Sequence, residues 1–329
     1  MFKGKKILFF SISFFGYQTE IKNKLVELGA EVDFFDERPK NTFWYKFLIR
    51  LNKNLVKSPI EKYYKDIISK TKMNDYDYVF FIKGEVITPK ILKDLREHQK
   101  DAKFILYLWD SIKHRQSVQR LFPLFDKILS FDLNDVNKHT YLHFRPLFYL
   151  DTYAQIPLAQ KNHENDVVFI GTAHPDRYPV LMNARDHCKS NNLKTYFFIY
   201  LQDWRIFYLW KLFSKSFGKA KKSDFEFESI NKEEIKSIIK NTTCVLDIEK
   251  SIQSGLTMRT LEVLGARRKL ITTNATIKEY DFYNENNVFI IDRENPVISA
   301  EFIKTKYQEV DRDIYLKYSL EYWLNEVFE

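Results

Sequence analysis

Cysteine is scarce in this sequence, and the positions of its two copies exclude two kinds of cross-linked fold. Cys188 and Cys244 lie far apart, with no C-x-x-C pair and no cysteine–histidine spacing near either. We therefore expect neither a disulfide framework nor a zinc site. Two cysteines placed in this way fit a protein of the reducing cytoplasm.

Long apolar runs are also absent. The opening residues MFKGKKILFF contain a short apolar run that is too short to span a bilayer, and no small-residue cleavage site follows it. We expect this run to form a first β-strand of a cytoplasmic protein. No zinc-finger, helix-turn-helix or RNP motif occurs, so nucleic acid is not an expected partner.

Glycine is too sparse for one common cofactor site. The loop after the first predicted strand, SISFFGYQ, contains only Gly16, whereas a dinucleotide-binding G-x-G-x-x-G turn needs three clustered glycines. An NAD-dependent dehydrogenase is therefore disfavoured.

Apolar strands and amphipathic helices alternate along the chain, which predicts an α/β fold with parallel sheets. With 329 residues and 45% apolar composition, the chain can form two cores. We predict domains at residues 1–155 and 156–310, and a final helix at 311–329 that packs back towards the first domain. The predicted strands are 6–12, 31–35, 78–82, 104–108, 127–130, 167–170, 194–200, 244–246, 269–272 and 288–291.

Residues 247–274, DIEKSIQSGLTMRTLEVLGARRKLITTN, join a polar loop to an amphipathic helix. Free backbone N–H groups and the positive end of the dipole make such a helix start favourable for an anion. Ser254, Gly255 and Thr257 add a close backbone approach and two hydroxyl groups. We predict that this loop binds phosphate; the alternative is an ordinary capped helix in a Rossmann-like unit.

Arg259 and Glu262 lie one turn apart on the same side of that helix. Arg259 supplies a cation beside the phosphates, and the Glu262 carboxylate can accept hydrogen bonds from both hydroxyls of a ribose. We expect both side chains on the helix surface in an open cleft, where they contribute little to fold stability. Phosphate followed by ribose indicates a nucleotide.

The stretch GLTMRTLEVLGARRKLITTN resembles the donor-binding motif of GT-B glycosyltransferases, and in particular of CgeB-like and capsule or lipopolysaccharide glycosyltransferases. Gly255 and Glu262 match the glycine and second glutamate of the motif, and Ser254 replaces the first glutamate. The resemblance implies two Rossmann-like domains facing a cleft, with a nucleotide-sugar donor on the second. It also implies no metal, no further cofactor, and a lipid-linked or oligosaccharide acceptor over the first domain.

A second strand–loop–helix unit, FIGTAHPDR, resembles the opening of the C-terminal domain in CgeB-like proteins. Its alternative interpretation is an ordinary turn with Asp176 as the helix cap. Polar residues just past strand ends are further candidates for contact with the donor. The candidates outside the central loop are Gly171, Thr172, His174, Arg177, Thr273 and Asn274.

Three residues past strands of the first domain are candidates for the base that an inverting transfer requires. They are Asp110 and Glu85, followed by His114. The alternative for Asp110 is an N-cap of the segment that begins at Ser111.

The net charge of +8 is partly concentrated in two aromatic and basic segments, residues 41–57 and 204–222. Such amphipathic helices suit an anionic membrane surface, so we predict peripheral attachment to the inner face of the cytoplasmic membrane. Alternatively, both helices pack on their own domains and the lysines are solvated.

The resemblance implies a glycosyltransferase that extends a bacterial capsule, lipopolysaccharide or O-antigen. The alternatives are a nucleotide-sugar epimerase on the same fold and a non-catalytic, membrane-associated binding module.

Overall fold

The computed structural model describes residues 1–42, 45, 48–49, 51–158, 163–251 and 254–329, with only the backbone of residues 53 and 54. Much of the predicted aromatic and basic helix at 41–57 lies outside the described residues. The residues concerned are Phe43, Trp44, Lys46, Phe47 and Arg50, and the side chain of Lys53.

Strands and helices alternate through the described chain. The strands are β1 (Lys6–Ser11), β2 (Glu31–Asp36), β3 (Tyr78–Ile82), β4 (Lys103–Leu108), β5 (Lys127–Ser130), β6 (His143–Phe144), β7 (Asn165–Thr172), β8 (Thr195–Tyr200), β9 (Thr242–Asp247), β10 (Lys269–Thr272) and β11 (Val288–Ile290). The helices are α1 (Tyr17–Glu27), α2 (Lys57–Thr71), α3 (Pro89–His98), α4 (Leu133–Lys138), α5 (Asp151–Ala154), α6 (Tyr178–Ser190), α7 (Trp204–Phe213), α8 (Lys232–Lys240), α9 (Met258–Gly265), α10 (Ala300–Lys304), α11 (Arg312–Lys317) and α12 (Leu320–Phe328). The chain divides into two compact units, residues 1–146 with 320–329, and residues 147–319.

The first unit is built on a six-stranded parallel sheet in the order β2-β1-β3-β4-β5-β6. Its central strands are continuous apolar runs because both faces are buried, as Phe80 and Phe81 in β3 show. The last helix, α12, belongs to this unit. Trp323 is fully buried with its ring centroid 4.8 Å from that of Tyr107, and the ring of Phe328 lies 5.0 Å from that of Phe80.

The second unit contains a five-stranded parallel sheet in the order β11-β10-β9-β7-β8. Helix α9 packs tightly in this unit, since a Cβ added at Gly265 would lie 2.6 Å from Cγ of Tyr149. Tyr315 also donates a hydrogen bond of 2.7 Å to the Gly265 carbonyl. Because β7, β9, β10 and β11 are parallel and adjacent in this order, the loops that follow them start side by side at the carboxyl edge of the sheet.

The predicted α/β architecture with parallel sheets is confirmed, and the ten predicted strands are all present with small differences at their ends. In the part of the chain that the structure describes, no helix is long and apolar enough to cross a bilayer.

Candidate functional site

The start of α9 is capped from inside the protein. Thr257 is the N-cap residue, and its hydroxyl accepts a hydrogen bond of 3.2 Å from the Thr260 N–H. Asp247, at the end of β9, accepts from the hydroxyls of Thr257 at 2.5 Å and Thr260 at 2.7 Å. The single hydroxyl proton of Thr257 is thus directed at Asp247, so the capped-helix alternative is correct for this side chain. The expected contact between that hydroxyl and a phosphate has no support in the geometry.

Arg259 and Glu262 form an ion pair on α9. The Nη1 atom of Arg259 lies 2.7 Å from Oε2 of Glu262, and their side chains are only 16% and 4% exposed. Burial first, and the Glu262 charge second, raise the pKa of the hydroxyl of Tyr153 in α5. The expectation that both side chains lie on the helix surface is therefore wrong. The pair is a buried feature of the second unit.

The loop before α9 is fixed by residues that follow β10. The Asn274 amide donates to the Ser254 carbonyl oxygen at 3.0 Å, and the Thr276 hydroxyl lies 2.7 Å from the same oxygen. Asn274 is buried and caps the short 3-10 helix Ala275–Glu279 through the Thr276 N–H. The Asn274 amide thus positions the backbone that leads to Gly255. The sequence did not indicate this role.

A network of ion pairs that the sequence did not predict lies at the same edge of the sheet. Arg293 bonds to the Glu249 carboxylate at 3.1 Å and to Asp176 at 2.9 Å. The Thr273 hydroxyl donates to Glu249 at 2.6 Å, so its proton is directed at this carboxylate. Burial raises the pKa of Glu249. Asp176 accepts from the Ser251 N–H at 3.0 Å and does not cap α6, so that alternative is wrong.

The end of β7 contains a glycine for a packing reason. A Cβ at Gly171 would lie 2.7 Å from Cζ of Phe169, so the buried ring requires glycine there. Thr172, the next residue, is exposed. The Nδ1 atom of His174 accepts the Asp176 N–H at 3.2 Å, which fixes the turn.

Arg177 is the residue of this loop with capacity to bind an anion. Its guanidinium lies within electrostatic range of Asp247, Glu249 and Asp176, and burial lowers its pKa. Within the described residues, its Nε atom is buried and has no hydrogen-bond partner. A buried N–H without an acceptor is costly, and an acceptor atom of an anionic ligand at this position would remove that cost.

In the first unit, Asp110 follows β4 and pairs with Lys83, which follows β3, at 3.0 Å. The Asp110 side chain is 36% exposed. The next 3-10 helix begins at Ile112 with Ser111 as its N-cap residue, and the Ile112 N–H donates to Asp135 at 2.7 Å, which disfavours the capping alternative for Asp110. His114, at the end of the same short helix, is exposed.

Glu85 is not placed as a base should be. It is 5% exposed and is held by Arg38 and by Arg115, the latter at 3.0 Å. Burial raises its pKa, but the two arginines outweigh this effect and the pKa lies below its usual value. The N–H groups of Gly84 and Glu85 in turn donate to the buried Glu37 at 2.9 and 2.5 Å. Glu85 therefore belongs to a buried ion-pair network, and its engagement by two cations disfavours the predicted role as the base.

Compared with known proteins, the sequence matches no protein-family model and no curated protein. Solved structures do match. A glycosyltransferase from Rickettsia africae is 13% identical with a TM-score of 0.57, over 99% of this chain and 97% of that chain. HepE of Anabaena, solved with UDP and glucose, is 11% identical with a TM-score of 0.59, over 98% of both chains. The chain has the GT-B fold.

The same fold also occurs in another class of enzyme. A Listeria monocytogenes protein assigned as a UDP-N-acetylglucosamine 2-epimerase is 9% identical with a TM-score of 0.52, over 99% of this chain and 95% of that chain. Within the described residues, no group of three or more His, Cys, Asp or Glu side chains could hold a metal ion. The GT-B fold alone therefore does not determine the reaction, which depends on the residues at the sheet edges.

Proposed function

We propose that this protein is a glycosyltransferase that uses a nucleotide-sugar donor. The observation that carries the proposal is the buried Arg259–Glu262 pair at the start of α9. HepE of Anabaena, which has a similar fold, was solved with UDP and glucose. A buried ion pair adds little to stability, because desolvation of both charges offsets their attraction. Its presence beside a loop at the carboxyl edge of a parallel sheet therefore favours a role in binding.

The donor binds to the second unit. Backbone N–H groups of the Ser254–Gly255 loop and the Arg177 guanidinium contact the phosphates, and Glu262 accepts hydrogen bonds from the ribose while Arg259 holds its carboxylate in place. The same cation charge stabilises the leaving nucleoside diphosphate as the bond between sugar C1 and the phosphate oxygen breaks. Thr273 and Asn274 act indirectly, through Glu249 and the Ser254 carbonyl.

The acceptor binds to the first unit, where Asp110 is the base. Its carboxylate takes the proton of the acceptor hydroxyl as that oxygen bonds to C1 of the sugar. Lys83 orients the Asp110 carboxylate through their 3.0 Å contact. His114 is the second candidate, since it is exposed one short helix further along the chain. The step needs no metal.

Nucleotide release tests the proposal. The purified protein is incubated with UDP-glucose, UDP-N-acetylglucosamine and GDP-mannose, with and without an extract of bacterial lipid-linked saccharides. We expect release from one donor, strongly increased by the extract. Conversion of UDP-N-acetylglucosamine to an epimer without any acceptor would favour the epimerase alternative. No turnover of any donor would favour the non-catalytic alternative.

The finer parts of the proposal are an acceptor of the bacterial cell surface and peripheral attachment to the inner face of the cytoplasmic membrane. They are supported by α7, which buries only Phe207 and leaves Leu212 and Phe213 each 77% exposed. Basic side chains are also exposed in α7 and in the residues that follow it. The exposed ones are Arg205, Lys211, Lys215, Lys219, Lys221 and Lys222. A segment that exposes both apolar and basic side chains suits a layer of anionic lipid headgroups.

Vesicle sedimentation tests the membrane attachment. We expect binding to vesicles with anionic lipid, weakened by salt, with about 1 kcal/mol for each lysine near the surface. Leu212→Ser with Phe213→Ser should reduce it, whereas the control Met73→Ser, at an 84% exposed apolar residue of the first unit, should not. Equal binding to neutral and anionic vesicles would contradict the preference for anionic lipid, and no binding to either would contradict the attachment.

A further inference from the structure

The loop between β1 and α1 displays two aromatic rings on a strained backbone. Phe14 is 38% exposed and Phe15 is 57% exposed. Phe15 has a φ of 48°, in the left-handed region that a bulky L-residue rarely adopts, and Gly16 follows with a φ of 76°. Strain of this kind persists where the surrounding structure enforces it, and it clusters at functional sites.

Neighbouring groups hold the loop in this conformation. The Phe14 N–H donates to Oε1 of Gln18 at 3.1 Å, and the Phe14 carbonyl accepts the Tyr17 N–H at 3.1 Å. One residue earlier, the Ser13 N–H and hydroxyl both donate to Asp36 at 2.9 and 2.5 Å. The rings of Phe14 and Phe15 meet edge to face, with centroids 4.5 Å apart. The backbone of the loop is therefore held in place, and the two exposed rings lie against each other.

One cation connects this surface with the proposed base. The Nζ atom of Lys83 lies 4.9 Å from the ring centroid of Phe14 and 3.0 Å from the Asp110 carboxylate. Aromatic faces, a carboxylate and a cation are thus close together at the carboxyl edge of the sheet in the first unit. The order of the sheet explains this, because β1 and β4 both neighbour β3, which Lys83 follows.

We propose that Phe14 and Phe15 form a platform on which a pyranose ring of the acceptor stacks, so that one of its hydroxyls reaches Asp110. A pyranose has one apolar C–H face, which suits an aromatic ring, and a rim of hydroxyls, which suits charged and amide groups. In this protein, Lys83 and Asp110 are the charged groups that would bind those hydroxyls. This inference rests on the proposed function and names the part of the acceptor that the first unit recognises. A lipid chain fits less well, since charged groups border the rings.

Saturation-transfer NMR tests the platform directly. The aromatic protons of the protein are irradiated in the presence of a panel of methyl pyranosides of the common hexoses. We expect transfer to the C–H protons of one sugar face in the wild type. In Phe15→Gly the transfer should be lost and the dissociation constant should rise about tenfold, which is the size of one good aromatic contact. Glycine adopts the same φ without strain, so this variant should stay folded.

Two further variants complete the design. Phe14→Leu keeps an apolar side chain but removes the aromatic face, and it should also weaken the transfer. Tyr141→Ala removes another exposed ring of the first unit, at 51% exposure, and should leave the transfer unchanged. The absence of transfer in the wild type, or equal transfer in Phe15→Gly, would overturn the platform.

The same variants separate this inference from the proposed function. If the platform alone is wrong, the wild type and Phe15→Gly should turn over the nucleotide-sugar donor with the same KM for the acceptor extract. If the glycosyltransferase proposal itself is wrong, the wild type should turn over no donor, whatever the pyranosides show.

Discussion

Replacement of the buried Arg259–Glu262 pair separates its structural contribution from its role in binding. In Glu262→Gln the shape and one acceptor oxygen remain, but Arg259 becomes a buried cation without its counter-charge. Since hydrogen bonds to charged groups contribute about 1.5–3 kcal/mol, we expect a loss of about that size in the free energy of unfolding. For a unit of this size, the loss corresponds to a Tm lower by about 3–12 °C.

The double variant Arg259→Met/Glu262→Leu behaves differently. Replacement of both partners by apolar side chains of similar volume leaves no buried charge, so stability should change by no more than about 1 kcal/mol. Nucleotide binding should nevertheless be lost. UDP at a hundred times its dissociation constant stabilises a protein by about 2.7 kcal/mol, which should raise the wild-type Tm by about 5–11 °C. In the double variant, UDP should not raise the Tm.

The matched control is the ion pair Lys317–Asp281, which lies in the same unit with a contact of 2.7 Å. The variant Lys317→Met/Asp281→Leu should keep the full rise in Tm with UDP. If the Arg259→Met/Glu262→Leu protein also keeps the full rise, the pair is structural and the assignment of the donor site loses its main support.

Three other predictions follow from single residues. Asp110→Asn should lower kcat by about 10²–10⁴ while the UDP dissociation constant stays unchanged, and a near-normal rate would leave Asp110 only as the partner of Lys83. Burial first, and the neighbouring carboxylate of Glu85 second, raise the pKa of Glu37 from 4.5 to about 8. The contribution of Glu37 to the free energy of unfolding is therefore complete at low pH and is lost as pH rises through this range. The Tm of Glu37→Gln should therefore fall less than the wild-type Tm between about pH 5 and pH 8, and equal slopes would contradict the pKa of Glu37. Gly265→Ala should lower stability by about 1–3 kcal/mol in thermal unfolding, because its Cβ would lie 2.6 Å from the Tyr149 ring, and an unchanged Tm would show that the ring can move.

The strands of both sheets could be predicted because parallel strands buried on both faces are apolar along their whole length. The sequence of β3, YVFFI, is apolar throughout and predicts a buried strand. The burial of Glu262 could not be predicted in the same way. Met258, Leu261 and Leu264 suggest one apolar face on α9, but the short helix is enclosed on other sides as well, so Thr260 and Val263 are also buried. Periodicity shows which face is apolar and does not show what covers the other faces.

The network around Arg293 was missed for a different reason. Arg293, Glu249, Asp176 and Thr273 come from four loops that are distant in sequence, and each residue alone resembles an ordinary turn residue. Glu85 illustrates the same limit, because its two arginine partners lie 47 and 30 positions away. Side-chain pairs across a sheet edge depend on the strand order, which alternation of strands and helices does not specify.

Hydrogen exchange with and without nucleotide tests the central claim most directly. Amide exchange of the full chain is measured by mass spectrometry in the absence and presence of saturating UDP. The account predicts slower exchange in peptides that cover residues 247–274 and 171–177, and unchanged exchange in peptides from the outer strands β2 and β6 of the first unit. Unchanged exchange in both predicted regions, under conditions where UDP binding is saturated, would contradict the placement of the donor site on the second unit.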